Sequence, residues 1–154
     1  MSLLPALGSI VALVYTFRDQ ADLAVLVGWA TVQFVLIAVY VVFDSILDRD
    51  SPSLGELRRH WRRFVLLQWL GSLAWAGIFP YLAPVAHGLD AVVIAVVAIA
   101  VLCGVLLVHR TAPSSAIFHV VVMAISITAA IWTGTGIAGL PALILLALFV
   151  IALL

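Results

Sequence analysis

The stretch AVVIAVVAIAVLCGVLLV occupies residues 91–108, and none of its side chains is charged. A helix needs about 20 mostly apolar residues to cross the hydrocarbon core of a bilayer, so this run predicts a membrane-spanning helix. Comparable uncharged runs cover residues 1–17, 23–43, 64–87 and 111–154. Of the 154 residues in the chain, 66% are apolar and 9% are charged. Soluble domains are about 45–50% apolar and about 25% charged, so this composition excludes a soluble globular protein.

The last apolar run is too long for one membrane span, and its glycines and proline indicate where it divides. Gly134, Gly136, Gly139 and Pro141 favour a turn followed by a new helix with proline in its first turn. The sequence therefore predicts an all-α, polytopic integral membrane bundle of about six transmembrane helices, forming one domain over residues 1–154. The spans are expected at residues 1–17, 23–43, 64–83, 91–108, 113–133 and 140–154.

The arginines predict the orientation, because short cytoplasmic loops of membrane proteins hold an excess of Lys and Arg. A charged link, residues 44–63, holds five of the seven arginines, and Arg110 lies between the fourth and fifth spans. Only Arg18 lies in an odd-numbered link. The even-numbered links and both termini are therefore expected in the cytoplasm. The last apolar run reaches Leu154 without a flanking charge, which favours a natural chain that continues into the cytoplasm.

The order of certain residues from Leu26 to Leu154 is typical of one group of membrane domains. The features are a tryptophan in the second span, a basic-aromatic entry to the third, then glycine, tryptophan and proline, and finally a glycine, a charged turn and a proline. Here they are Trp29, RRHWRRF at residues 58–64, Gly71, Trp75, Pro80, Gly104, Arg110 and Pro113. In this order the chain resembles the N-terminal multi-span membrane input domains of bacterial GGDEF and EAL (cyclic di-GMP) signalling proteins and related sensor histidine kinases.

The resemblance implies a sensory or anchor module in the bacterial inner membrane, present as a homodimer. Such a module passes a membrane or ligand signal to a cytoplasmic output domain. The chain departs from the family in one respect, because it contains no GGDEF motif, no EAL motif and no kinase histidine box. Two other functions remain open: an accessory or structural subunit of a larger respiratory or photosynthetic membrane complex, and a small transporter.

Four arginines and a tryptophan lie at the entry to the third span: Arg58, Arg59, Trp61, Arg62 and Arg63. Arginines near a membrane surface attract anionic lipid headgroups, and a tryptophan at this depth is typical of the aromatic belt. Topology alone also explains these residues, because they hold the link in the cytoplasm. Membrane lipids are expected partners, together with a second copy of the chain or other membrane subunits. A nucleic-acid partner is not expected, because the chain has a single short basic cluster.

Few polar side chains fall inside the predicted spans, and such groups face the bundle interior because a polar group in hydrocarbon needs a partner. Gln33 and Gln68 lie at similar depths in the second and third spans, so that their amides can bond directly. His119 is a candidate ligand-binding residue, since ionisable residues inside membranes mark functional sites. Together with Trp75 these residues form the candidate ligand-binding set, and packing is the simpler explanation for the two amides.

Aromatic side chains cluster in the outer half of the third span, and two further tryptophans lie in other spans. They predict a shallow apolar pocket open to the outer leaflet, where the resemblance implies ligand sensing. Aromatic belts at membrane interfaces explain the same rings. The rings are Trp69, Trp75, Phe79 and Tyr81, with Trp29 and Trp132.

A cofactor, a metal and an enzyme activity are not expected of this chain. Haem would need two axial histidines at matched depth, and His109 and His119 are separated by a turn. The sequence GTGIAG at residues 134–139 matches GxGxxG, but it lies between two predicted membrane helices with no acidic residue after it, so it predicts a turn. The sequence offers no nucleophile–base pair and no carboxylate dyad.

Overall fold

The computed structural model describes residues 3–47, 54–108, 113–135, 139 and 144, and these form an all-α protein. Five α-helices and one short 3-10 helix lie within this part of the chain. They are α1 (Leu3–Phe17), α2 (Leu23–Leu47), α3 (Leu54–Leu82), the 3-10 helix Ala83–Val85, α4 (Leu89–Val108) and α5 (Pro113–Thr135). Of the predicted sixth span, residues 140–154, all but Ile144 lie outside the described residues.

Three of these helices are long and apolar enough to cross a membrane, by length and composition. The three segments are Leu23–Val42, Arg58–Val85 and Ser115–Gly134. Two shorter apolar helical segments, Pro5–Phe17 and Leu89–Leu102, accompany them. A helix that is apolar all round has no face to turn towards water. The described part of the chain therefore indicates a membrane protein with transmembrane helices.

The five α-helices pack side by side in a closed ring. The most extensive pair is α3 with α5; α2 packs on the other side of α3, α1 joins α2 to α4, and α4 returns to α5. Each helix contributes at least one fully buried apolar side chain to the interior of the ring. These include Leu13, Leu26, Phe79, Leu102 and Met123, taken in order from α1 to α5.

Contacts between side chains define the directions of the helices. Trp69 of α3 stacks on Phe118 of α5, with ring centroids 4.7 Å apart, and further along both helices the Ser126 hydroxyl contacts the Ala76 carbonyl. Residue numbers rise together in these contacts, so α3 and α5 run parallel. On α2 the numbers fall as those on α3 rise, since Tyr40 contacts Phe64 while Trp29 contacts Trp75. Therefore α2 runs antiparallel to α3.

Two of the links between helices meet at one end of the ring, which we call the turn end and define as residues 18–22 and 83–90. The Gln20 side-chain amide donates to the Asp90 carboxylate at 2.9 Å, and the backbone N–H of Asp22 donates to the Tyr81 hydroxyl at 3.2 Å. Asp22 also caps α2, because its carboxylate accepts the N–H of Ala24 at 2.8 Å. The opposite end, with residues 54–64 of α3, is called the arginine end.

α3 begins at Leu54, whereas the sequence predicts the third span from residue 64. The basic sequence at residues 58–63 is therefore helical and continuous with the span. Arginine and leucine are good helix formers, and an existing helix is extended more easily than a new one is nucleated. α2 likewise continues to Leu47, beyond the predicted end at residue 43. The charged link predicted at 44–63 thus contributes helix to both of its neighbours.

Pro80 lies inside α3 and changes the hydrogen bonding of that helix. Proline has no N–H, so the carbonyl of Ala76, four residues earlier, loses its partner within the helix. The Ser126 hydroxyl of α5 donates to that carbonyl. Because no water is present in hydrocarbon, an unsatisfied backbone group there costs several kcal/mol, and serine from a neighbouring helix is one of the groups that compensate for proline. The α3–α5 contact therefore stabilises α3 at its proline.

Replacing Ser126 with alanine is expected to lower the free energy of unfolding by about 1 kcal/mol, because the Ala76 carbonyl loses its donor. In a Pro80→Ala background, which restores an N–H at position 80, the same replacement should cost much less. The measurement is reversible unfolding in mixed micelles of the wild type, both single variants and the double variant. Thr31→Ala is the matched control, since the Thr31 hydroxyl bonds only to its own helix at Val27. An equal cost of Ser126→Ala in both backgrounds would contradict this account.

Candidate functional site

A buried hydrogen bond joins the middle part of α3 to the second turn of α5. Ser72 Oγ lies 2.7 Å from His119 Nδ1 and 2.8 Å from the backbone oxygen of Gln68. The hydroxyl carries one proton. When it donates that proton to the Gln68 oxygen, His119 Nδ1–H donates to Ser72, and the lone pair of the imidazole lies on Nε2. Both side chains are buried, His119 with 1% of its surface exposed.

His119 was predicted from the sequence as a site residue, whereas its partner Ser72 and the second serine that joins the two helices, Ser126, were not. Ser115, His119 and Ser126 are all buried on α5. Their spacing of four and then seven residues places them on one face of the helix, and that face is turned towards the ring interior. The signal in the sequence was this helical spacing of polar residues within an apolar run. Serine is common in membrane helices as a small packing residue, so it did not stand out by type.

Gln33 and Gln68 are not hydrogen-bonded to each other in the structure. Gln33 has 2% of its surface exposed and shares the buried face of α2 with Leu26 and Ala30. Among the described residues its Nε2 atom has no hydrogen-bond partner. Gln68 is half-buried on α3, and its backbone oxygen accepts the Ser72 hydroxyl. Similar depth therefore does not bring the two amides into contact, because the rotation of each helix about its own axis decides where a side chain points.

Trp75, the fourth candidate ligand-binding residue, lies in the contact between α2 and α3. The Trp29 indole N–H donates to the Ala74 backbone oxygen at 2.8 Å. The Trp29 and Trp75 rings meet edge to face, with centroids 5.1 Å apart and an interplanar angle of 79°. Trp75 in turn stacks on Phe79, 6.3 Å away. Aromatic pairs with these separations stabilise packing, so Trp75 orients the neighbouring Phe79.

An apolar cavity of about 290 Å³ lies near the turn end, between α3, α4 and α5. On α4 and on α5 its wall follows the spacing i, i+3, i+4, i+7, which is one face of a helix. Phe79 closes it from α3. The lining residues are Phe79, Ala83, Ala86, Ala91, Ile94, Ala95, Ala98, Ile127, Ala130, Ile131 and Gly134.

The composition of the cavity wall decides what it can bind. Its side chains are alanines, isoleucines and one phenylalanine, so it offers no side-chain hydrogen bond. An enclosed apolar cavity of about 150 Å³ binds benzene, and the present cavity, which is partly open, has about twice that volume. It therefore fits an apolar ring or a hydrocarbon chain. Of the rings predicted to form a pocket, Phe79 lines this one; the alanines of α4 and α5 were not anticipated, and their helical spacing was the available signal.

Gly134 allows α5 to approach the 3-10 helix at the edge of the cavity. A Cβ atom at this position would lie 3.1 Å from the backbone oxygen of Ala83. A contact this short is tighter than most real Cβ contacts, so one of the two backbones would have to give by a few tenths of an ångström. The sequence GTGIAG thus begins with a glycine that lies close against the Ala83 backbone at the turn end.

The remaining histidines and acids are scattered. His87 and Asp90 lie at the turn end, whereas His60 lies near the arginine end on α3. Within the described ranges, no three His, Cys, Asp or Glu side chains form a group that could hold a metal ion. His109 lies outside the described residues, so the haem pair considered with His119 has no described geometry.

The arginines and the tryptophan at the entry to the third span lie together on the first turns of α3. Arg58, Arg59, Arg62 and Arg63 are all exposed there. Trp61 is also exposed, and its ring stacks on Phe64 with centroids 5.8 Å apart. The structure therefore places this basic cluster and the apolar cavity at opposite ends of α3.

Replacing Ser72 with alanine is expected to lower the free energy of unfolding by about 1 kcal/mol, because the buried His119 Nδ1 loses its partner. The ¹⁵N chemical shift of the His119 ring should change with it, which a loss of packing alone would not produce. Ser45→Ala is the matched control, because the Ser45 hydroxyl is exposed and bonds to Val42 of its own helix. An unchanged ring shift in Ser72→Ala would argue against this hydrogen bond.

Gly134→Ala is expected to destabilise the protein by about 1 kcal/mol or more, because the new methyl group would crowd the Ala83 carbonyl. Gly77→Ala, within α3, should instead stabilise by about 0.5–1 kcal/mol, because a Cβ there meets nothing within 4 Å and alanine favours a helix. Thermal unfolding of the two variants in the same detergent checks the difference. If both substitutions stabilise the protein, the described approach of α5 to Ala83 is not correct.

Comparison with known proteins gives no relative for this chain. No protein-family model matches it. Neither a curated protein nor a solved structure is similar to it. The resemblance to bacterial input domains therefore stays a prediction from the sequence.

Proposed function

We propose that this chain is the membrane sensory and anchor module of a bacterial signal-transduction protein. It passes a membrane or ligand signal to a cytoplasmic output domain. The main support for the proposal is that α3 extends from the apolar cavity to the arginine end. Phe79 of this helix lines the cavity, and Arg58–Arg63 lie at its other end. One continuous helix thus connects a cavity for an apolar ligand to the opposite end of the bundle.

Two hydrogen bonds link α3 to α5 between the cavity and the arginine end. One joins Ser72 to His119, and the other joins Ser126 to the Ala76 carbonyl. Because both helices also line the cavity, an occupant that separates α4 from α5 would displace the joined pair together. With a rise of about 1.5 Å per residue, α3 is about 43 Å long and carries such a displacement across a bilayer.

The proposed topology has six spans and both termini in the cytoplasm of a bacterium, with the module in the inner membrane. The charges support it, since the arginine end holds four of the seven arginines, whereas Arg18 alone lies at the turn end. The proposed module is a homodimer, and the last helix of each copy leads into its output domain. Catalysis then belongs to the output domain, and the module itself works without a cofactor.

The proposal predicts that the protein expressed from its natural locus has a mass well above the 16.5 kDa of this sequence. In its native membranes, Ala98→Leu should change the output activity by about fivefold or more, because the larger side chain fills part of the cavity. The output is assayed as synthesis or hydrolysis of cyclic di-GMP and as autophosphorylation. Val96→Leu is the matched control, because Val96 is 59% exposed on the same helix and lies outside the cavity wall.

Ala95→Leu, a second substitution in the cavity wall, separates a specific effect from misfolding. Both cavity variants are accepted only if they unfold at the temperature of the control variant. A natural protein of 16.5 kDa that purifies with stoichiometric partner subunits would overturn the proposal in favour of an accessory subunit. Output that is unchanged when the whole module is replaced by an unrelated six-span anchor would overturn it as well.

A further inference from the structure

α3 is longer than its apolar segment. From Phe64 to Leu82 the helix has no charged side chain, and at about 1.5 Å per residue this segment measures about 28 Å. The hydrocarbon core of a bilayer is about 30 Å thick. The helix nevertheless begins at Leu54. The turns before Phe64 therefore extend past the hydrocarbon and reach the depth of the lipid headgroups.

Four guanidinium groups share one side of these turns, and we call them the arginine surface: Arg58, Arg59, Arg62 and Arg63. At 3.6 residues per turn, the positions i, i+1, i+4 and i+5 cover an arc of about 140°. All four residues are exposed. Phe64 lies on the opposite side of the helix, where it contacts Tyr40 of α2 at a centroid distance of 5.3 Å. The arginine surface therefore points away from α2.

α5 does not reach the arginine surface. α3 and α5 run parallel, and Trp69 lies level with Phe118. Counting back five residues on both helices places Pro113, the first residue of α5, level with Phe64. The arginines thus extend beyond the start of the neighbouring helix. The ion pair found among the described side chains, Arg18 with Asp19, lies at the other end. Two acids near the surface in the sequence, Asp44 and Glu56, have side chains outside the described part of the structure.

Trp61 marks the depth of this surface. Its ring is 45% exposed and stacks on Phe64 at an interplanar angle of 18°. By helical spacing it lies beside Arg58, at the edge of the arc. Tryptophan concentrates at the level of the headgroups, because its ring is apolar and its N–H needs a polar partner. A ring anchored at this depth holds the neighbouring guanidinium groups at the level of the lipid phosphates.

We propose that the arginine surface binds the headgroups of anionic phospholipids. The guanidinium fork matches the geometry of a phosphate and binds it through two parallel hydrogen bonds. The source of the phosphate is the bilayer itself, since the surface continues a helix that is long and apolar enough to cross it. Bound headgroups fix the depth of α3, which also lines the cavity. This inference goes beyond the proposed function, because it requires no output domain.

The test uses the full chain in phosphatidylcholine vesicles that contain a trace of spin-labelled phosphatidylglycerol or spin-labelled phosphatidylcholine. Electron paramagnetic resonance measures the fraction of each labelled lipid that is immobilised by the protein. We expect the wild type to prefer phosphatidylglycerol by about threefold or more, and the preference to fall at high salt. The variant with Arg58, Arg59, Arg62 and Arg63 all replaced by glutamine should lose it.

Two further variants keep the result interpretable. Arg18→Gln removes one positive charge at the turn end and should retain the preference. Replacement of the same four arginines by lysine should retain most of it, which separates a loss of charge from a loss of folding. A quadruple glutamine variant that folds and still prefers phosphatidylglycerol would overturn the inference.

Inorganic phosphate, added at constant ionic strength, distinguishes the two sources of phosphate. It should leave the lipid preference unchanged if the bilayer supplies the ligand, and abolition of the preference would indicate a soluble phosphate ligand and overturn the inference. These experiments use only this chain. A negative result here therefore leaves the proposed sensory function standing, and a failure of the output assay leaves lipid binding standing.

Discussion

The need to satisfy every backbone carbonyl inside an apolar bundle is the constraint on which the rest of this structure depends. Pro80 breaks the hydrogen-bond ladder of α3 at the Ala76 carbonyl, and no water is available in hydrocarbon to replace the missing donor. Ser126 supplies it from α5. This contact and the Ser72–His119 bond both join α5 to α3, so the most extensive helix pair of the described ring is held by two hydrogen bonds as well as by packing.

The other hydroxyl groups show why Ser126 matters. Thr31 and Thr133 donate to carbonyls one turn earlier in their own helices, which satisfies the side chain but joins nothing. Ser72 also bonds back to Gln68, yet its oxygen still meets His119 across the interface. The Thr31 and Thr133 hydroxyls thus use their own backbone as partner, whereas the Ser126 hydroxyl joins two helices because the Ala76 carbonyl has lost its donor to Pro80.

The two ends of α3 are suited to different ligands, because the side chains near the turn end are apolar and those at the arginine end are charged. Near the turn end, Phe79 and the alanine faces of α4 and α5 line a space without polar side chains, which suits hydrocarbon. At the arginine end, charged side chains that are costly in hydrocarbon lie beyond the apolar segment of α3. The physical basis of the proposed sensory function is one helix that carries a basic cluster at one end and lines a cavity at the other.

The sequence by itself determined the class of protein and the approximate positions of five helices, because uninterrupted apolar runs and glycine or proline breaks act locally. It also identified the buried histidine and the basic cluster, since both residue types are costly in hydrocarbon. Only the tertiary structure decided the partners. Gln33 is not hydrogen-bonded to Gln68, whereas Ser72 is hydrogen-bonded to His119. Alanines rather than tryptophans form most of the cavity wall. These contacts depend on the rotation of each helix about its axis and on the relative height of the helices. Those two quantities come from the packing of the whole ring and are not encoded in any single span.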